Sequence, residues 1–346
     1  MPGPYYIDSE IGNDSNDGLS KTDQGGGVGP KEHLSAVLDL ITNLIESEIV
    51  INVAHDNGSG PNVYTETEDV LELRGIRCEG EDARLIIQAT DWDNDKYEGG
   101  EDNPIGAGDW DPTTDHNMAI QYGLEITEAE TFNLELRGLC LYGDDSVEKG
   151  GLKIEGSTGV IKTKYCEFAG LQGGIQLLGH NNLSIENCYF LKNGIGIIAM
   201  LNSTVLLYGD NYIEDPVLMG AYALINSNLV IVPWYEQQFD KFTLEVKTTK
   251  PRKKEFAGLK AAINSTIAIQ DDSWHPSLPM VAAVKVINDC RFLNPEYYGV
   301  VLESKSLLTG AANMGFATLN MKGDQIEMPE ANRIMAESEF GAVVVE

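Results

Sequence analysis

The chain has 346 residues, with 54 acidic side chains against 24 basic ones and a net charge of −30. That excludes nucleic-acid binding through a general basic surface and favours solubility in a crowded or extracellular setting. No run of 18 apolar residues is present to span a membrane. Residues 1–8 carry neither the basic nor the apolar region of a secretion signal, so the expectation is a protein made in the cytoplasm that reaches a particle or the outside by another route.

Taken in order, Tyr5-Tyr-Ile-Asp8 reads as a strand and Gly12 to Ser20 as a dense turn. The turn contains Gly-x-Asp-x-x-Asp-Gly, which offers oxygen ligands to calcium. Asx-turns use the same residues without metal. Lys31 to Ser47 places Leu34, Val37, Leu38, Ile41, Leu44 and Ile45 at helical spacing, which predicts an amphipathic helix capping the open edge of the first coil. Residues 1–48 are therefore assigned to an N-terminal strand, turn and capping helix, and 49–346 to a solenoid.

Strands begin at Ile49-Val-Ile-Asn-Val-Ala and lead to Tyr64-Thr-Glu-Thr. With Tyr-Tyr-Ile-Asp and the Gly-Asn-Asp-Ser-Asn-Asp-Gly turn before them, these residues resemble the entry to pectate-lyase-like right-handed β-helix proteins, phage tail spikes among them. The resemblance covers roughly the first 90 residues by motif and the rest by periodicity. It implies the fold; the superfamily includes lyases, hydrolases, epimerases and proteins without catalysis, so it implies no single activity.

An acidic insertion follows at about 90–117. Asp91, Asp93, Asp95 and Glu98 have oxygen-ligand spacing suited to calcium, and Trp92, Tyr97 and Trp110 among them are able to stack on sugar rings. The alternative is a solvated loop whose aromatics pack on the coils.

From Gly151 the sequence repeats every 22 to 24 residues: the same phase returns at Gly174, Gly196 and Gly220, then after interruptions at Gly258 and Gly299. Six residues past each glycine stands a polar or turn-forming residue, Ser157, His180, Asn202, Asn226, Asn264 and Lys305. A second pattern, Cys-x-aromatic, occurs at Cys140, Cys166, Cys188 and Cys290. Each repeat is too short to bury a core alone and has no room for a helix. That leaves a right-handed parallel β-helix of roughly ten coils, in which equivalent side chains stack at about 4.8 Å. The five cysteines, with no Cys-x-x-Cys, read as small buried core residues.

Strand alternation sends Ile175, Leu177, Ile197, Ala199, Ala221 and Ala223 inward. It leaves Leu178, Ile198, Met200, Tyr222 and Leu224 on the outer face, an apolar patch larger than a soluble monomer usually exposes. A subunit interface, as in a homotrimer, or the chain's own insertions would cover it. An insertion at 237–256 holds six basic residues. Of these, Lys250, Arg252, Lys253 and Lys254 read as a hairpin that docks on an acidic partner, or as a solubilising one. Phe340 to Glu346 is strand-like.

No nucleophile elbow, phosphate loop or dinucleotide fingerprint is present, the five histidines lack metal-ligand spacing, and no catalytic residues are assigned. Glu155, Glu167 and Glu186 are the carboxylates nearest the regular coils, each expected at the solvated surface. Two functions are carried forward. The preferred one is a non-catalytic, structural or glycan-contacting subunit of a phage-like particle, located in a virion or extracellular particle, with particle proteins or surface polysaccharide as partners and calcium as the candidate ion. The alternative is a polysaccharide lyase or glycoside hydrolase acting on a bacterial or acidic polysaccharide.

Overall fold

The computed structural model describes residues 4–41, 43–54, 62–66, 70–90, 118–143, 150–209, 211–232, 244–248, 256–270, 284–288, 297–309, 314–319, 325–327, 334–336 and 343–345. They form a right-handed parallel β-helix with a short helix near the N-terminus. It falls into two compact units, Met1–Leu171 and Gln172–Glu346.

In the first unit the chain visits three sheets in turn. The first sheet holds Tyr5–Ile7, Ile49–Val53, Leu85–Ala89, Leu134–Arg137 and Val160–Lys164. The second holds Asn62–Tyr64, Met118–Ile120, Cys140–Tyr142 and Glu167–Ala169; the third holds Val70–Arg74, Gly123–Thr127 and Gly150–Glu155. The second unit repeats this order, with third-sheet strands at Gly173–Leu178, Ile195–Met200, Met219–Leu224, Phe256–Ala262 and Tyr297–Leu302. Its last described first-sheet strand, Val343–Val345, pairs in parallel with Leu307–Thr309. The residues expected to point inward do so: Ile175, Leu177, Ile197, Ala221 and Ala223 are fully buried, and Ala199 is nearly so.

The glycine period has a steric cause. Pairing sets Ile197 opposite Ala221 and Ala221 opposite Leu259, so Gly196, Gly220 and Gly258 stack from coil to coil. A Cβ on Gly196 would lie 2.7 Å from the Gly220 carbonyl oxygen, and one on Gly220 would lie 2.4 Å from that of Gly258. No side chain fits there.

The corners between the third and first sheets use two successive left-handed residues: Gly179-His180, Leu201-Asn202, Ile225-Asn226, Ile263-Asn264 and Ser304-Lys305. Asparagine is suited to that conformation, and His180 occupies the position as a turn residue. The left-handed leucine and isoleucines are held there by hydrogen bonds that continue the ladder round the corner: Leu201 N–H to Leu224 O at 3.2 Å, Asn202 N–H to Ile225 O at 3.0 Å, Ile225 N–H to Ala262 O at 3.2 Å and Asn226 N–H to Ile263 O at 2.9 Å. Each such residue costs about 1–2 kcal/mol of backbone strain. Behind the corners runs a buried row of serines. Ser203 N–H donates to Ser227 Oγ and Ser227 N–H to Ser265 Oγ, both at 3.2 Å, while the Ser203 and Ser227 hydroxyls donate back to Met200 and Leu224 carbonyls.

Three expectations change. The helix predicted over 31–47 is confined to Leu34–Leu38, because Leu44–Ile45 leaves the helical path to pair with Arg77–Cys78. The Cys-x-aromatic pattern is one residue out of phase at Cys140, which pairs with Glu167 while Leu141 pairs with Phe168. The register is set by left-handed corner residues, Gly138 and Tyr165, so Leu139 stacks with Cys166. Glu167 is consequently buried, not solvated, with 0% exposure. The four described cysteines are buried, as expected.

Candidate functional site

A polar network lies on the outer face of the first sheet in the first unit. Alternation and register place one outward polar side chain per coil in a line: Asn52 opposite Gln88, Gln88 opposite Arg137, and Arg137 opposite Lys164. A parallel line puts Glu135 opposite Lys162. The side chains join across coils. Asn52 Nδ2 donates to Tyr5 O at 3.3 Å, Gln88 Nε2 to Asn52 Oδ1 at 3.1 Å and Arg137 Nη1 to Gln88 Oε1 at 3.3 Å. Arg137 Nη2 donates to Glu135 Oε2 at 2.9 Å, and Lys164 Nζ stands 4.0 Å from Glu135 Oε1.

Side-chain exposure is 17% for Arg137 and 8% for Glu135. Burial by itself raises the Glu135 pKa, but the hydrogen bond and charge of Arg137, with Lys164 and Lys162 nearby, outweigh it and hold the carboxyl below its usual range. The Arg137 Nε–H is buried and has no hydrogen-bond acceptor among the described residues. Two depressions flank this network. One of about 410 Å³ is lined by Pro4, Glu48, Val50, Asn52 and Gln88; the other, of about 230 Å³, includes Arg84, Asn133, Glu135 and Lys162. The Glu48–Arg84 ion pair, with Nε to Oε2 at 2.6 Å, links their linings. The face therefore presents amide, guanidinium and ammonium donors beside a carboxylate that stays ionised, a set able to hold hydroxyl- and carboxylate-bearing ligands.

A second cluster sits at the N-terminal turn. Asp14 Oδ1 accepts the Glu32 and His33 N–H groups, each at 3.0 Å, and Asp14 Oδ2 lies 2.7 Å from His33 Nδ1. One ligand atom each from Asp14, Glu32 and His33 lies within 4.8 Å of the others, so the three can coordinate a metal ion. Imidazole suits a transition metal better than calcium. Both Asp14 oxygens already serve protein donors that tie the turn to the helix start, and Asp17 Oδ1 accepts from Leu19 N–H at 3.0 Å, which is the Asx-turn role.

The Asp14–His33 contact predicts a pH response. Burial lowers the His33 pKa, but the hydrogen bond and charge of Asp14, with Glu66 and Glu32, overcome it and raise it above 6.5. Asp14 is opposed by its own burial yet held below 3.8 by His33. Stability from a raised His is complete below 6.5 and lost as pH rises through the raised value; that from the lowered Asp is present above 3.8 and lost below it. Protection of the Glu32 and His33 amides relative to their intrinsic exchange rates should be greatest between these limits. An NMR titration of His33 should give a midpoint above 6.5 that falls in Asp14→Asn, and an unchanged midpoint would remove the ion pair.

Other expected site residues fall differently. Leu178, Ile198, Met200, Tyr222 and Leu224 are half-buried on the outer face of the third sheet in the second unit, in two rows: Ile198–Tyr222–Lys260 and Leu178–Met200–Leu224. Asp91, Asp93, Asp95, Glu98, Trp92, Tyr97 and Trp110 lie outside the described residues, as do Lys250, Arg252, Lys253 and Lys254. Among the described residues, no helix is long and apolar enough to cross a membrane.

No family model and no curated protein matches the chain. Two solved structures are similar to it, each at 11% identity over 99% of this chain and 90% of the other. One is pectin methylesterase PemA from Erwinia chrysanthemi, at a TM-score of 0.29. The other is a point mutant of pectin methylesterase in complex with hexasaccharide IV, at 0.30. The expectation of a non-catalytic particle subunit, leaning away from enzyme, is corrected here: Asp14, Glu32 and His33 form a metal-capable group, which favours an enzymatic reading.

Proposed function

We propose that the chain is a polysaccharide-cleaving enzyme of the lyase type, acting on an acidic polysaccharide along the outer first-sheet face of the first unit. The observation that carries this reading is the in-register row Asn52, Gln88, Arg137 and Lys164, with Glu135 and Lys162 beside it. A row with one polar group per coil suits a ligand that is itself a repeating chain. Arg137, Lys162 and Lys164 concentrate positive charge on one face of a chain whose net charge is −30.

Elimination beside a uronate carboxylate moves the proton alpha to it onto a base, here the ionised Glu135, builds negative charge on the substrate carboxylate, and then breaks the C–O bond to the leaving sugar, whose oxygen takes up a proton; preorganised cations stabilise the charge. Glycoside hydrolysis instead requires two carboxyl groups, one of them protonated. Here Glu135 is held ionised by Arg137, and Glu48 is bonded to Arg84, which favours the lyase. The polysaccharide class also supports a place of action outside the cell.

The test is incubation with uronate-containing and neutral polysaccharides, with and without added calcium, following ultraviolet absorbance of unsaturated products and, separately, reducing ends. Absorbance with a uronate polymer is expected, and Lys162→Ala should lower its rate about a hundredfold. Reducing ends without absorbance would make the enzyme a hydrolase; no product from any uronate polymer would sink the reading.

A further inference from the structure

We infer that the second unit binds a second copy of this chain side by side, through the corner row Leu201, Ile225 and Ile263 and the adjoining outer row Leu178, Met200 and Leu224. The corner row combines two unfavourable features. All three residues have left-handed backbones, with φ of 58°, 57° and 55°, a conformation in which a β-branched residue is a true outlier. Leu201 and Ile263 are also 42% and 44% exposed. Asparagine occupies the next left-handed position in each of these corners and would serve the turn better. Large apolar groups here aid neither the turn nor solubility, and burial against a partner accounts for both features.

Charge identifies the partner. In a chain of net charge −30, the third-sheet strands from Gly173–Leu178 to Tyr297–Leu302 contain one charged side chain, Lys260, and it is paired with Glu303 at 2.7 Å. Two copies repel each other over most of their surfaces, but across these strands the one charge that each presents, Lys260, is already neutralised by its own Glu303. Period points the same way, because rows stacked at about 4.8 Å interdigitate over several coils only with a surface of the same spacing. The area suffices: strands of about 20 Å across five coils give about 500 Å², and the corner row with the neighbouring first-sheet face brings this towards the roughly 800 Å² per partner of a stable interface.

Sedimentation velocity of the full chain across a concentration series should give a multiple of 37.8 kDa. The triple variant Leu201→Asn, Ile225→Asn, Ile263→Asn relieves the backbone while removing the apolar row. It should sediment as a monomer, with association weakened about a hundredfold and an unchanged circular dichroism spectrum. Met200→Lys, on the flat face and away from the strained corner, should also dissociate the copies. A wild-type monomer at every concentration, which would mean that the chain's own insertions cover the face, overturns the inference. So does an assembly that survives either variant.

Discussion

Replacing Gly220 with alanine should destabilise the second unit by about 3 kcal/mol or more, read as a shift of the urea midpoint. The new Cβ would meet the Gly258 carbonyl oxygen at 2.4 Å and Val246 Cγ1 at 2.7 Å. Neither can yield alone. Gly258 lies in a strand paired to Met219–Leu224 on one side and to Tyr297–Leu302 on the other, and Val246 is fully buried in the second-sheet strand Leu244–Thr248. Relief would require whole coils to separate, breaking ladder hydrogen bonds. Gly179→Ala is the control: its φ is 82° and a Cβ there meets none of the described residues within 4 Å, so only the backbone term of about 1 kcal/mol applies. Equal midpoints for the two variants would show that the glycine period is not steric.

That contrast explains what was legible in the sequence. A position that tolerates only one residue type announces itself, so the stacked glycines and the corner asparagines fixed both fold and phase. The serine row is equally visible, since Asn-Ser recurs at Asn202-Ser203, Asn226-Ser227 and Asn264-Ser265, one residue past each corner asparagine. Leu201, Ile225 and Ile263 were unreadable as left-handed residues, because that conformation is imposed by hydrogen bonds from the neighbouring coil against their own preference. The Cys140 pattern misled because a short motif fixes chemistry, whereas the corner glycine before it fixes register. The candidate site was hidden by insertions. Asn52 and Gln88 are 36 residues apart, and Gln88 and Arg137 are 49 apart, so no 22-residue period connects them. Alternation within Leu134-Glu-Leu-Arg137 and Ile161-Lys-Thr-Lys164 does mark Glu135, Arg137, Lys162 and Lys164 as outward charges, and only the register shows that they form one network.

That network makes Arg137 the residue whose loss should be felt most on the proposed site. Arg137→Met keeps the aliphatic contacts and removes the guanidinium, leaving Glu135 at 8% exposure with Lys164 4.0 Å away. A buried carboxylate without its hydrogen-bonding cation is expensive, so the variant should lose about 2–3 kcal/mol at neutral pH. The pH dependence identifies the cause. In the wild type the folded Glu135 pKa is below 4.5, so its stabilisation is present above 4.5 and is lost as pH falls through the lowered value. In the variant, burial acts with little opposition and moves that pKa upward. Acidification then protonates the carboxyl, and the variant's deficit shrinks as the pH falls through the raised value. Removing both charges in Glu135→Gln, Arg137→Met should recover more than half of the single variant's loss, because no uncompensated charge remains buried. Urea midpoints of the three proteins between pH 4 and 8 test all of this. A deficit that is constant with pH, or a double variant no better than Arg137→Met, would mean that packing around the Arg137 stem holds this face together and not the ion pair.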